Sequence, residues 1–164
     1  WQPIDWKELW RYKDLFYFLV WRDIKTRYAQ SVLGIGWAVI QPIFSMIVFT
    51  IVFGKLAKIN SDGVPYAIFS YTALVPWTYF SGAMAGASGS LLGAAGMMTK
   101  VYFPRLVIPI APVISKLIDF GIAFVILLLM MAYFGFIPSI QIIFLPLLIL
   151  IMMITASGMG MWLT

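Results

Sequence analysis

Lys116 and Asp119 stand three residues apart inside a long apolar stretch, the only charges within any predicted membrane span. That spacing puts both on one helical face, where they partly neutralise each other. A proton relay would need such groups. A structural ion pair is the better reading, because Lys116 lies about 10 Å along a helix from Pro109, within reach of snorkelling. The 164 residues contain no His and no Cys, which removes imidazole bases, thiol nucleophiles and the common metal ligands together. No metal site and no catalytic triad is expected. Gly54-Lys55-Leu56 lacks the hydroxyl after Lys and the Gly five residues before it, so it is not a phosphate loop. Any ATP and its Mg must be bound by another polypeptide, and the chain is expected to hold no cofactor of its own.

Three further patterns bear on function. Arg22, Lys25 and Arg27 precede the first apolar run, where they either attract a lipid-linked pyrophosphate at the membrane surface or serve as positive-inside anchors. Lys100, Tyr102, Phe103, Pro104 and Arg105 make a short basic and aromatic loop in which Pro104 and Pro109 prevent a continuous helix. Tyr66, Tyr71, Trp77, Tyr79 and Phe80 are candidates to line a glycan channel, since flat rings pack sugar C–H faces. An aromatic belt at the membrane interface explains the same cluster.

The elements that position these residues follow from charge. The chain is 63% hydrophobic and 10% charged, against about 45–50% and about 25% for soluble domains. Tyr28–Gly54, Gly63–Thr99 and Phe120–Thr164 carry no charge at all. About 20 residues cross the hydrocarbon core, and Gly135 to Ser139 supplies a turn that divides the last run. The fold expected is all-α and polytopic: a cytoplasmic amphipathic interface helix in 1–30, then a membrane domain in 31–164. Its spans are placed at 33–53, 66–92, 108–134 and 141–163, with a loop at 97–107 between the second and third. Cations concentrate in the N-terminal segment and at Lys100 and Arg105, which sets both on the cytoplasmic side despite Lys55 and Lys58. The net charge of +5 is thus a membrane-orientation signal, not a nucleic-acid footprint.

Lys7, Arg11, Asp14, Phe18, Arg22 and Lys25 fall on one stripe of the interface helix. Phe18 interrupts that stripe, so the helix is expected to break or bend between Asp14 and Trp21. Gly82/Gly86 and Gly89/Gly93 form two small-xxx-small pairs, a theme that Ala156 and Gly160 repeat. Close intramolecular packing is favoured over a dimer seam as their purpose.

Trp21-Arg22-Asp23-Ile24-Lys25-Thr26-Arg27-Tyr28 leads into Leu33-Gly34-Ile35-Gly36-Trp37-Ala38-Val39-Ile40-Gln41-Pro42. This resembles the first membrane segment of the ABC-2 type permeases that export O-antigen, capsule and teichoic acid. Lys100-Val101-Tyr102-Phe103-Pro104-Arg105 is similar to the coupling helix of that family, and Ser157-Gly158-Met159-Gly160-Met161-Trp162-Leu163 extends the likeness. The resemblance implies six membrane helices in a multi-pass protein of the bacterial inner membrane, a permease homodimer, and two separate ATP-binding subunits. It implies a lipid-linked polysaccharide as cargo, with Lys100, Tyr102, Phe103, Pro104 and Arg105 touching the ATPase. The first residue is Trp1, and Trp162-Leu163-Thr164 ends in an apolar run without a charged flank, so the chain is expected to be trimmed at both ends. An exporter of drugs or small lipids shares the same fold expectation. A membrane lipid-phosphate transferase would need convergent intramembrane acids or histidines, for which Asp119 alone is poor support.

Overall fold

The computed structural model describes residues 10–29, 35–56, 58, 61, 63–98, 107–137 and 139–163. Five α-helices follow one another: α1 (Lys13–Ala29), α2 (Ile35–Phe49), α3 (Tyr66–Met98), α4 (Val107–Tyr133) and α5 (Leu145–Trp162). A π-helical turn, Thr50–Leu56, continues α2, and a 3-10 turn, Ile140–Phe144, leads into α5. No strand occurs among the described residues.

Local chemistry accounts for the boundaries. The Thr50 hydroxyl bonds back to the Met46 carbonyl at 2.8 Å, a competing side-chain bond where the helix widens. Gly54 in that wide turn gives room to an aromatic neighbour, because a Cβ there would lie 3.0 Å from the Tyr66 ring. At the end of α4, Gly135 takes φ 70°, which an L side chain resists. The Phe136 N–H bonds the Met131 carbonyl and the Gly135 N–H bonds the Ala132 carbonyl. Those two bonds are the Schellman stop, and they fall in the turn expected at Gly135 to Ser139. The anticipated break at Phe18 is not there: α1 runs unbroken. It has no Gly or Pro in its interior, and an exposed ring on a polar stripe does not interrupt backbone bonding.

The core sits between α3, α4 and α5. Ile68, Tyr71, Val75, Tyr79, Ala83 and Ala87, spaced by three or four, put one face of α3 in the interior. Val113, Phe120, Ala123 and Leu127 of α4 and Ala156 of α5 close over it. The Tyr79 ring meets Phe120 edge-on at 5.4 Å, and its hydroxyl donates to the Val113 carbonyl at 3.2 Å. Tyr71 is fully buried, and its hydroxyl has no hydrogen-bond partner among the described residues. An unsatisfied buried hydroxyl costs about 1–3 kcal/mol. Tyr71→Phe keeps the ring and is therefore expected to raise the thermal unfolding temperature in detergent. A lower temperature would mean that the hydroxyl is satisfied in the membrane.

Among the described residues, three helices are long and apolar enough to cross a bilayer: Gly36–Leu56, Val107–Tyr133 and Ile142–Trp162. Of the four spans expected, the second does not qualify on composition. Its helix, α3, is 33 residues long and uncharged, but Gly, Ser, Ala, Thr and Pro dilute it. Those small residues suit a helix that touches α2, α4 and α5 instead of facing lipid. Phe44 and Ile47 of α2, Ile51 of the π-helical turn and Leu147, Ile151 and Ile154 of α5 are exposed. Water would not tolerate apolar surface of that extent. The chain is an all-α, polytopic membrane protein.

Candidate functional site at the α1–α4 seam

α1 packs along α4, and the contacts advance in step. Leu19 is buried with Val107 and Ala111. The Ser115 hydroxyl donates to Asp23 Oδ2 at 2.8 Å, and Arg27 Nη1 donates to Asp119 Oδ2 at 3.1 Å. Both polar pairs have the same sequence separation, 92 residues. A constant separation means that α1 runs beside α4 in the same direction, and the three contacts span about two turns of each helix.

The expected pair is present, and it has company. Lys116 Nζ lies 3.0 Å from Asp119 Oδ2, while the Tyr28 hydroxyl donates to Asp119 Oδ1. Arg27 Nη2 also reaches Asp23 Oδ2 at 3.5 Å. Arg27 therefore bridges two carboxylates, one from each helix. Two cations and two anions balance, as charges near hydrocarbon must. Burial and the hydrogen bond to Asp119 push the Tyr28 phenol above its ordinary range, only partly offset by Arg27. It stays a neutral donor.

Beside this network lies a cavity of about 400 Å³ between α1, α3 and α4. Arg22, Asp23 and Arg27 edge it on α1, and Gly86, Gly89 and Gly93 wall it on α3. The glycine pairs divide here. At Gly82 a Cβ would meet the Lys116 stem at 3.3 Å, and at Gly86 it would meet Pro112 at 3.1 Å, so these two serve helix packing. At Gly89 and Gly93 it would meet nothing within 4 Å among the described residues, leaving bare backbone to the cavity. On the other side of the network a pocket of about 80 Å³ joins Gln41 and Pro42 of α2 to Thr78, Tyr79, Lys116 and Asp119.

The family model for ABC-2 type transporters matches residues 14–164. The chain belongs to the ABC-2 type transporter family. It is 30% identical over 145 residues to the O-antigen export system permease protein RfbA of Myxococcus xanthus, covering 88% of this chain and 55% of that one. A protein of the same name from Klebsiella pneumoniae is 27% identical over 128 residues, 78% of this chain and 49% of its own length. The chain thus spans about half the length of the curated relatives it matches.

In this ABC-2 family member the predicted site residues scatter. Arg22 edges the cavity, Arg27 is held by carboxylates, and Lys25 is exposed and does not line the cavity. Tyr71 and Tyr79, read as channel candidates, are 0% and 3% exposed inside the core. Neither offers a ring face to a sugar, because the inward stripe of α3 claims both. Tyr66 covers Gly54 and Phe80 packs on the core, whereas Trp77 is 63% exposed. The coupling candidates Lys100, Tyr102, Phe103, Pro104 and Arg105 lie outside the described residues.

Sequence reasoning passed over Asp23, Tyr28 and Ser115. Asp23 and Arg27 do stand four apart, a legible intrahelical pair. Their link to Ser115 and Asp119 joins elements far apart in sequence, and no local pattern announces it.

Proposed function

We propose that this chain belongs to the permease of an ATP-driven exporter that moves lipid-linked polysaccharide outward across the inner membrane of a bacterium. It is a transporter subunit, not an enzyme. A separate subunit, present in two copies, binds ATP and Mg and presses on the loop from Lys100 to Arg105. The permease works as a homodimer with its N-terminus in the cytoplasm.

The observation that carries the reading is the cavity beside α1. Arg22 edges it and enters no ion pair among the described residues. A guanidinium over a wall of bare glycine backbone suits a phosphate-bearing headgroup, which needs charge and close approach together. Lys25, exposed on the same helix, adds to the field that draws an anionic lipid toward it. Arg27, already bridging two carboxylates, holds the wall in place. Of the channel candidates, Trp77 is the most exposed and so the one to stack on a passing sugar, with Tyr66 and Phe80 partly exposed on the same helix. The names of the curated relatives support a glycan cargo.

The test uses the full-length permease reconstituted with its ATP-binding partner in proteoliposomes. Lipid-linked glycan is expected to stimulate ATP hydrolysis severalfold, and Arg22→Glu is expected to abolish that stimulation. Stimulation by small amphiphiles with none by the glycan would reassign the protein to the drug and small-lipid exporters.

A further inference from the structure

The apolar hold on α1 lies in its first half. Leu19, its one buried residue among those described, packs there with Val107 and Ala111, and Leu15, Phe16 and Val20 are partly buried beside it. Tyr17, Phe18 and Trp21 are 70%, 59% and 54% exposed. The hold of its C-terminal half on α4 is polar. Ser115 engages Asp23, and Asp119 gathers Arg27, Tyr28 and Lys116. All of these contacts depend on one axial register. A slip of one residue along α4 moves partners by about 1.5 Å and turns them by a large fraction of a circle, so they are lost together. Packed elements of this kind hold or release, and they do not stretch.

The network also reaches inward. Asp119 and Lys116 border the small pocket shared with α2 and α3, and the aliphatic stem of Lys116 rests on Gly82 of α3. One turn nearer the start of α4, Pro112 rests on Gly86. Displacing the clamped α1 therefore displaces a seam at which α3 and α4 meet. We infer that Asp23, Arg27, Asp119 and Lys116, with Tyr28 and Ser115, form a charge-balanced latch that joins α1 and the first half of α4 into one rigid arm. The arm, and not α1 alone, passes the push of the ATP-binding partner to the membrane helices. The force-carrying part rests on the exporter reading, whereas the clamp stands without it. Asp119 and Asp23 are positioning residues here, acting on cargo only through the helices they join.

Two measurements on the full chain in membranes decide the matter. Leu19→Cys with Ala111→Cys, treated with a short bifunctional maleimide, is expected to cross-link rapidly in the parent background. Asp119→Asn is expected to slow that reaction at least fivefold. With the ATPase partner present, Asp119→Asn should lower glycan export at least tenfold while ATP hydrolysis persists. Asp119→Glu, which keeps the carboxylate beside Arg27 and Lys116, should retain at least half of both the cross-linking and the export. A fold defect would lower export and hydrolysis together. Asp23→Asn, at a more exposed carboxylate, gives a milder loosening if Asp119→Asn fails to insert. Unchanged cross-linking in both variants would overturn the latch. Loosened cross-linking with unchanged export per ATP would overturn the force-carrying role. A parent protein that exports no glycan would defeat the exporter reading, and the cross-linking would still decide the clamp.

Discussion

Gly160→Ala is expected to destabilise the membrane domain by about 1–3 kcal/mol, the usual range for overpacking a tight core, and Gly160→Leu should prevent assembly. A Cβ at Gly160 would sit 2.4 Å from the Ala87 methyl, 3.2 Å from the Ser88 amide nitrogen and 3.3 Å from the Ala87 carbonyl carbon. Two of those three atoms are backbone, so no rotamer change relieves the clash. Ala83, Ala87 and Ala156 are buried around the same crossing, and close approach of α3 and α5 is what small residues permit in lipid. Thermal unfolding in detergent, with Gly158→Ala as a control at a position open on all sides, measures the effect. Adding Ala87→Gly to Gly160→Ala should recover part of the loss, and a double-mutant cycle isolates that coupling. Parental stability for Gly160→Ala would show that α3 and α5 do not cross there.

Phe103→Ala combined with Arg105→Ala is expected to reduce export to background while ATP hydrolysis continues. Both residues stand in the segment between α3 and α4, helices that make the most extensive helix contact among the described residues. On the proposed coupling role, a push on that segment would be carried along both helices to the seam at Gly82 and Gly86. Removing an aromatic ring and a guanidinium together takes away the two groups most often found at interaction hot spots. The full-length permease, co-purified with its ATP-binding partner and assayed for export and hydrolysis in the same vesicles, separates uncoupling from misassembly. Export at the parental rate by a correctly assembled double variant would remove this loop from the coupling path.

Much of this architecture was legible in one dimension because hydrocarbon imposes its demands residue by residue. Long apolar stretches became helices α2 to α5, and each begins within a few residues of the expected start. Gly135 stopped α4 where a positive φ was needed. Lys116 and Asp119, three apart, paired as a single helical face requires. The family likeness, too, lay in contiguous stretches that a linear reading can hold.

The tertiary structure decided what depends on which helix lies beside which. Tyr71 and Tyr79 share residue type with Trp77, yet the rotation of α3 buries the first two and exposes the third. Gly82 and Gly86 became packing contacts and Gly89 and Gly93 a cavity wall, although their spacing is the same, because α4 follows α3 closely over one pair and not over the other. Arg27 looked like its neighbours Arg22 and Lys25 until α4 brought Asp119 to it. Local sequence determines helices through short-range bonding and solvation. The meeting of Arg27 with Asp119 depends on packing of whole helices, a property no segment carries alone.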